Sequence, residues 1–155
     1  MERKTVKESM VSIAQPMTPQ DVNRAGNVHG GVIMKLIDTI GAAVAIRHAR
    51  TNMVTASIDH LDFHSPIYVG DLVTFKASVN LVGRTSMEVG VRVESENLMT
   101  GEVRHTASAY LTYVALGKDS KPVPVPPLIV ETDEERRRNR EAQARRDIRL
   151  RGKNN

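Results

Sequence analysis

The sequence predicts an α+β domain in which an antiparallel sheet wraps around one long buried helix. First, about twenty residues beginning at Gly30 and Gly31 read as a helix that is apolar on nearly every side, and such a helix is buried. Second, four segments with alternating or β-branched residues follow it, linked mainly by short turns, and short links join antiparallel neighbours. Because these strands follow the helix without further helices between them, the order favours α+β layers over a parallel sheet.

Individual strands are predicted from periodicity and turn residues. Residues 9–15 alternate loosely and predict a first strand that Pro16 closes. After the helix, strands are expected at residues 53–63, 71–82, 85–97 and 102–116. On the first of these four, Val54, Ala56 and Ile58 are expected to share a face. On the last, the expected apolar face consists of Val103, His105, Ala107, Ala109, Leu111 and Tyr113.

The C-terminal part of the chain differs in character from residues 1–130, which we take as one folded domain. Residues 117–127 are rich in proline and predict an extended arm lying over the body. Residues 131–155 form a charged helix or tail, whose start at Thr132 and Glu135 resembles a capping box. Its apolar content is low, so we expect a solvated or partly frayed surface helix; a partner- or phosphate-binding role for its arginines is the alternative.

Composition restricts the kind of protein. The 155 residues suit a single domain. There is no cysteine, which excludes disulfides, thiolate metal sites and a cysteine nucleophile. The charged N-terminal residues lack an apolar segment, so we expect no secretory signal and a cytoplasmic location. The apolar helix is interrupted by polar residues, so we expect no membrane insertion.

The net charge of +4 lies mostly in the tail. Residues 1–130 hold 13 basic and 12 acidic side chains, whereas residues 131–155 hold 9 and 6. The five aromatic side chains are not interleaved with basic residues as in base-stacking surfaces. We therefore expect no nucleic-acid partner.

Asp38 is the residue that best marks a functional site. It lies two turns into the apolar helix, and burying a carboxylate is costly unless it is paired or used. A surface ion pair with Lys35 is the alternative. In chemical terms Asp38 is a candidate general base or nucleophile.

The loop before the helix supplies further candidates. Backbone N–H groups at Gly30 and Gly31 could hold an oxyanion at the helix N-terminus, or the glycines only permit the turn into the helix. The Asn23 amide can accept from a water and donate to a carbonyl, or it only makes a turn. Asn27 is interpreted as a turn or capping residue. His29 is interpreted as shaping the loop, with a direct catalytic part as the alternative.

Residues 21–38, D-x-N-x-x-G-N-x-H-G-G-x-x-x-K-x-x-D, resemble the acyl-CoA thioesterases of the hotdog fold. More narrowly, they are similar to the cytosolic long-chain acyl-CoA hydrolases and their single-domain bacterial relatives. Six collinear fragments extend the resemblance over roughly residues 8–130: RHA at 47–49, TNMVTASID at 51–59, FHSPIYVGD at 63–71, GRTSMEV at 83–89, ASAYLTYVAL at 107–116 and PVPPL at 124–128.

The resemblance implies hydrolysis of acyl-CoA to a free fatty acid and coenzyme A. It places the catalytic pair on Asn23 and Asp38, with the asparagine contributed by the neighbouring protomer. It also implies a homo-oligomer, a dimer assembled further into a trimer of dimers. No cofactor is expected, because coenzyme A is part of the substrate and product.

Coenzyme A would contact residues of two strands or turns. Ala56 and Ser57 are candidates to line the pantetheine groove, and Arg84, Thr85 and Ser86 to meet the phosphates. A solvated hairpin is the alternative for the second group. No metal is expected at His60 and His64, since the family needs none and strand neighbours point to opposite faces.

Two other functions remain open from the sequence. A non-catalytic hotdog module that senses acyl-CoA or nucleotides needs neither Asn23 nor Asp38, but such regulators usually carry a DNA-binding helix-turn-helix, which the sequence does not show. A hotdog dehydratase is weaker, since it would use a His–acid pair for proton transfer at carbon.

Overall fold

A computed structural model describes residues 1–153; residues 154–155, the end of the predicted tail, lie outside the described part. In chain order the elements are β1 (Lys4–Thr5), β2 (Val11–Pro16), α1 (Gly30–Ala49), β3 (Asn52–Phe63), β4 (Leu72–Val82), β5 (Ser86–Glu96), β6 (Val103–Leu116), β7 (Leu128–Ile129) and α2 (Asp133–Lys153). Single 3₁₀ turns lie at Val6–Glu8 and Pro19–Asp21. The predicted order of strand, long helix and four strands is confirmed.

Five strands form one antiparallel sheet in the order β2-β4-β5-β6-β3, and α1 packs on its inner face. The core between them combines α1 residues with alternate strand residues: Ile33, Ile37, Val44, Val73, Phe75, Val79, Val89, Val93, Leu111 and Tyr113. This sheet wrapped around one helix is the predicted α+β architecture, and it is confirmed.

Two β-bulges overturn the face assignments made from simple alternation. In β3, Ala56 is an extra residue between Thr55 and Ser57, so Val54 pairs with Val114 on the outer face while Ile58 pairs with Leu111 on the face towards α1. The expectation that Val54 and Ile58 share a face is therefore wrong. The physical reason is that one inserted residue inverts the side-chain phase of everything beyond it.

A second bulge does the same in β6. Ala107 pairs with Val93 and His105 pairs with Glu94, which leaves Thr106 as the extra residue. His105 and Val103 consequently lie on the outer face, and the prediction that they share a face with Ala107 is wrong. The alternation of the sequence does not reveal that Thr106 is an inserted residue, because the pattern reads on through it without a break.

The proline-rich arm lies against the body, and two short strands that were not predicted hold its end. Val125 of the arm donates its N–H to the backbone oxygen of Arg84, in the turn between β4 and β5, at 3.0 Å. At its end, β7 pairs in parallel with β1, and Lys4 N–H donates to Pro127 O at 3.0 Å. The arm thus ties the N-terminal residues to the sheet.

The predicted solvated or frayed tail is instead a continuous helix docked on the outer face of the sheet. Arg145 forms a bidentate pair with Glu88 at 2.8 and 2.9 Å, and its guanidinium lies 3.6 Å from the centre of the Tyr110 ring. Arg149 pairs with Asp59, and Asn139 donates to Asn80 O at 2.9 Å. These partners are distant in sequence, which is why composition alone predicted a free helix.

One side of α1 is open in the single chain, although the helix is apolar nearly all round. Met34 is 42% exposed and Ile46 43% exposed. Beside them lies β3, an edge strand whose Ile58 is 40% and Phe63 48% exposed. Neither α1 nor α2, as described, is long and apolar enough to cross a membrane.

Candidate active site

Asp38 is held by hydroxyl groups from two neighbouring strands. Thr55 of β3 and Tyr113 of β6 are cross-strand partners, so their side chains point to the same place beneath α1. The Thr55 hydroxyl donates to Asp38 Oδ1 at 2.8 Å. The Tyr113 hydroxyl lies 3.1 Å from both Oδ1 and the backbone oxygen of Asp38. The carboxylate is half-buried and reaches the open side of α1.

Tyr113 is fully buried, and a glycine makes its position possible. A Cβ at Gly41, one turn after Asp38, would lie 2.5 Å from the Tyr113 hydroxyl oxygen. Burial, followed by the negative charge of Asp38, raises the pKa of the Tyr113 phenol. The phenol therefore stays protonated at neutral pH and acts as a hydrogen-bond donor. Thr55, Tyr113 and Gly41 were not predicted as site residues, because in the sequence they read as ordinary strand and helix positions.

The alternative of an Asp38–Lys35 surface pair finds no support in the geometry. No ion pair joins the two side chains within residues 1–153; Lys35 instead offers its backbone oxygen to the Thr39 hydroxyl at 2.8 Å. In the described part of the chain, the side chains that donate to the Asp38 carboxylate are the neutral hydroxyls of Thr55 and Tyr113.

The N-terminus of α1 leaves two N–H groups without an intrahelical acceptor. Val32 and Ile33 N–H both reach His29 O, at 3.0 and 3.5 Å, whereas Gly30 and Gly31 precede the first possible helical bond. Neither glycine has a positive φ, and a Cβ at Gly30 would only touch the Phe63 ring at 3.6 Å. The turn into the helix therefore does not itself demand glycine here.

Asn23 organises the loop before α1. Its Oδ1 accepts from Ala25 N–H at 2.9 Å and from Asn27 N–H at 3.2 Å, while its own N–H donates to Asn27 O at 2.8 Å. The turn-making role, which was the alternative for Asn23 and the interpretation of Asn27, is therefore present. Because the carbonyl end of the amide is used, the NH₂ end is the part left to meet a ligand.

Asn23 and Gly30 line a common pocket of about 400 Å³, with the end of β3 forming the opposite wall. The pocket wall also contains Phe63, Ser65 and Pro66, which were not predicted as site residues, and His64, which was considered only for a metal. Asp38 does not line it: eight residues separate Asp38 from Gly30, about 12 Å along a helix axis. One chain thus brings Asn23 to the helix N-terminus but does not bring it to Asp38.

The expected coenzyme A contacts lie at one end of the sheet. Ser86 pairs with Val114, which pairs on its other side with Val54, and the next rows contain the bulge at Ala56 and Ser57. Residues 56–57 and 84–86 therefore lie on opposite sides of β6, and the two strands that flank β6 are about 10 Å apart. Arg84 is exposed, while Ser57 Oγ is buried with no hydrogen-bond partner among the described residues.

The histidines considered for a metal are separated by the strand geometry. His60 lies on the outer face opposite Tyr110, whereas the His64 ring packs on the His105 ring at 4.9 Å. Within residues 1–153 no group of three or more His, Asp and Glu side chains is arranged to hold a metal ion.

Comparison with known families and proteins gives one consistent result. A family model described as the thioesterase superfamily matches residues 25–102. A cytosolic acyl coenzyme A thioester hydrolase of Rattus norvegicus is 39% identical over 146 residues, which cover 93% of this chain and 38% of the rat protein. The chain therefore spans well under half the length of that relative. An uncharacterized acyl-CoA thioester hydrolase of Bacillus subtilis is 45% identical over 134 residues, 86% of this chain and 78% of the relative.

Solved structures agree. An apo-hexameric acyl-CoA thioesterase superposes with a TM-score of 0.94 at 41% identity, covering 97% of both chains. An acyl-CoA hydrolase of Staphylococcus aureus, solved with butyryl coenzyme A and coenzyme A, gives 0.91 at 35% identity over 97% of this chain and 92% of that one. The S. aureus hydrolase has also been solved as alanine variants of an asparagine, an aspartate and a threonine spaced by 15 and 17 residues, the spacing of Asn23, Asp38 and Thr55.

Proposed function

The chain belongs to the thioesterase superfamily, and we propose that it hydrolyses acyl-CoA to a free fatty acid and coenzyme A. The observation that carries the proposal is the half-buried Asp38 carboxylate, which is held by hydroxyls and faces the open side of α1. The relatives named above as acyl-CoA hydrolases support the substrate class.

Asp38 supplies the attacking group in this proposal. As a general base it takes a proton from water while the water oxygen bonds to the thioester carbonyl carbon. Collapse of the tetrahedral intermediate breaks the C–S bond, and the proton passes to the departing thiolate. As a nucleophile, Asp38 instead attacks the carbonyl carbon and expels the coenzyme A thiolate as the C–S bond breaks, and water then cleaves the resulting mixed anhydride to the fatty acid and the free Asp38 carboxylate. Both routes need the ionised carboxylate and no cofactor.

Asn23 and the start of α1 polarise the carbonyl. The Asn23 carbonyl oxygen is occupied by two backbone N–H groups, so its NH₂ group is the end that donates to the thioester oxygen. Gly30 lines the same pocket as Asn23, and its N–H group, with that of Gly31 next to it at the start of α1, stabilises the oxyanion. Since Asp38 lies too far along α1 to share this pocket, we propose that Asn23 and Asp38 meet across a subunit boundary.

The open face of α1 and the edge of β3 form that boundary. Exposed apolar side chains such as Met34, Ile46 and Ile58 lie together there, and a 12-residue edge strand offers a row of backbone groups for pairing. We propose a homodimer through this face, assembled further into a hexamer as in the hexameric thioesterase.

The sheet and its turns provide the contacts to the rest of the coenzyme A moiety. Residues 56–57 line the pantetheine arm and residues 84–86 meet the phosphates, with Arg84 as the charged contact. The rat relative is named cytosolic, and we propose a cytoplasmic location for this chain.

Thiol release from acyl-CoAs of short, medium and long chain tests the function. We expect the purified protein to release coenzyme A above background. Asp38→Ala and Asn23→Ala should each lower kcat by at least about a hundredfold, since each removes a group that acts in the transition state. Coenzyme A binding without any thiol release would instead support the ligand-sensing alternative.

A further inference from the structure

The two oxygens of the Asp38 carboxylate have different surroundings. Thr55 and Tyr113 both direct their hydroxyls at Oδ1, at 2.8 and 3.1 Å. No donor from the described residues reaches Oδ2 within hydrogen-bond distance. One oxygen is thus fixed to the sheet, and the other is left on the open side of α1.

We propose that Tyr113 is a positioning residue that holds the Asp38 carboxylate through Oδ1 and leaves Oδ2 as the oxygen that reacts. This inference rests on the function proposed above and deepens it, because it names a group that keeps the base in its reactive orientation. Tyr113 itself is fully buried and does not touch substrate.

The phenol is suited to this task by its surroundings. Its hydroxyl proton has two acceptors, both on Asp38, so it is directed at this residue alone among the described contacts. Gly41 provides the clearance, since any Cβ there would collide with the hydroxyl oxygen. A phenylalanine would fill the same space and pack the same core, so the hydroxyl is not needed for packing.

Few charged groups face the Asp38 carboxylate. From β6 it faces Tyr113, the one titratable side chain among its hydrogen-bond partners in the described part of the chain, and from β3 it faces Thr55, which does not titrate. On α1 itself, Lys35 makes no ion pair with it within residues 1–153. The two hydroxyls are therefore the groups that fix the orientation of the carboxylate.

Tyr113→Phe tests the inference directly. We expect a roughly tenfold loss in kcat near neutral pH with little change in KM, since about one charge-assisted hydrogen bond is removed. Tyr110→Phe, on the outer face of the same strand, is the matched control and should keep the wild-type kcat and KM.

Gly41→Ala supplies an independent variant. Its new Cβ should displace the phenol and reproduce the loss seen in Tyr113→Phe. Combined with Tyr113→Phe it should add little, because the hydroxyl it collides with is gone and the next ring atom is 3.3 Å away. Fully multiplicative losses would mean that Gly41 and Tyr113 act separately, and would overturn the inference.

A crystal structure of Tyr113→Phe decides the question without activity. We expect the Asp38 carboxylate to turn from its wild-type orientation in Tyr113→Phe and to keep that orientation in Tyr110→Phe. An unchanged orientation together with an unchanged kcat overturns the role of Tyr113, whereas absence of thiol release by the wild-type protein overturns the proposed function alone. If Tyr113→Phe fails to fold, Gly41→Ala replaces it, with the same turn of the carboxylate expected and an unchanged orientation overturning the inference.

Discussion

His48 is a buried histidine at the last turn of α1. Its Nε2 lies 2.7 Å from Pro126 O, its Nδ1 has no hydrogen-bond partner among the described residues, and its backbone oxygen accepts from Lys4 Nζ at 2.7 Å. Burial lowers the pKa of His48, the Pro126 carbonyl opposes this, and the charge of Lys4 lowers it further. The folded chain therefore holds His48 neutral, and the imidazole anchors the arm to α1.

The pKa of His48 makes stability fall with acidification. Below the unfolded-state pKa of about 6.5 the unfolded chain takes up a proton that the folded chain does not, so the free energy of unfolding decreases as pH drops. We expect the thermal midpoint to fall between about pH 7 and pH 5. His48→Gln, which can still donate to Pro126 O, should reduce this slope, while the exposed His60→Gln should not. Equal slopes in wild type and His48→Gln would contradict the assignment.

Asp38 could be found from the sequence, whereas its hydroxyl partners could not. A carboxylate within an apolar helix is unfavourable unless it is paired or used, and the amino-acid sequence alone shows that Asp38 is in this position. Tyr113 alternates like any core residue, and Thr55 directly precedes a bulge that alternation does not report. Their relation to Asp38 depends on cross-strand register, which only the folded sheet defines.

α2 is attached to the sheet by ionic contacts rather than by an apolar stripe. Glu88 is 3% exposed and accepts both bonds from Arg145, and Asn80 donates to its Oε2 at 2.9 Å. Removal of one partner from a buried pair leaves the other charge uncompensated. The pair is therefore the main determinant of where α2 lies.

Arg145→Ala should destabilise the chain by about 3 kcal/mol, because it leaves Glu88 buried and unpaired. Arg140→Ala, an exposed position on the same helix, should change the free energy of unfolding by less than about 0.5 kcal/mol. Urea unfolding followed by circular dichroism measures both. Similar values for the two variants would show that α2 is not docked through Glu88.

Among the secondary-structure elements, the sequence predicts those whose position depends on a local pattern of residues. The bounds of α1 and of the five sheet strands follow from alternation, turn residues and the glycine pair. The docking of α2 and the β1–β7 pair do not, because Arg145 and Glu88, or Lys4 and Leu128, lie far apart in the chain. Contacts between distant charged residues leave no periodic pattern.

In the proposed dimer, a second copy of the chain covers the open face of α1. Ile58→Lys should prevent association while the chain still folds, because Ile58 is already 40% exposed in the single chain but would face the partner in the dimer. Met99→Lys, at a 94% exposed position in the turn between β5 and β6, is the control. Light scattering after size-exclusion chromatography should give monomers for the first variant and oligomers for the second. An oligomeric Ile58→Lys would place the interface elsewhere.

The sequence already predicts such a partner, since a helix apolar all round cannot be covered by one sheet. Periodicity does not show which residue of the partner meets Asp38, because Asn23 and Asp38 lie only fifteen residues apart in one chain. The family resemblance alone implies that the partner contributes Asn23. The separation of the Asn23 pocket from Asp38 in the folded chain is what favours a site shared between protomers.

Co-expression of Asn23→Ala and Asp38→Ala chains under separate affinity tags tests the shared site most directly. Each mixed dimer would combine an intact Asn23 with an intact Asp38 at one of its two sites, so assemblies that carry both tags should regain activity, up to about half of the wild-type kcat when every dimer in them is mixed. The separate variants should stay inactive. Mixed dimers as inactive as the separate variants, with oligomerisation intact, would contradict a site built from two protomers.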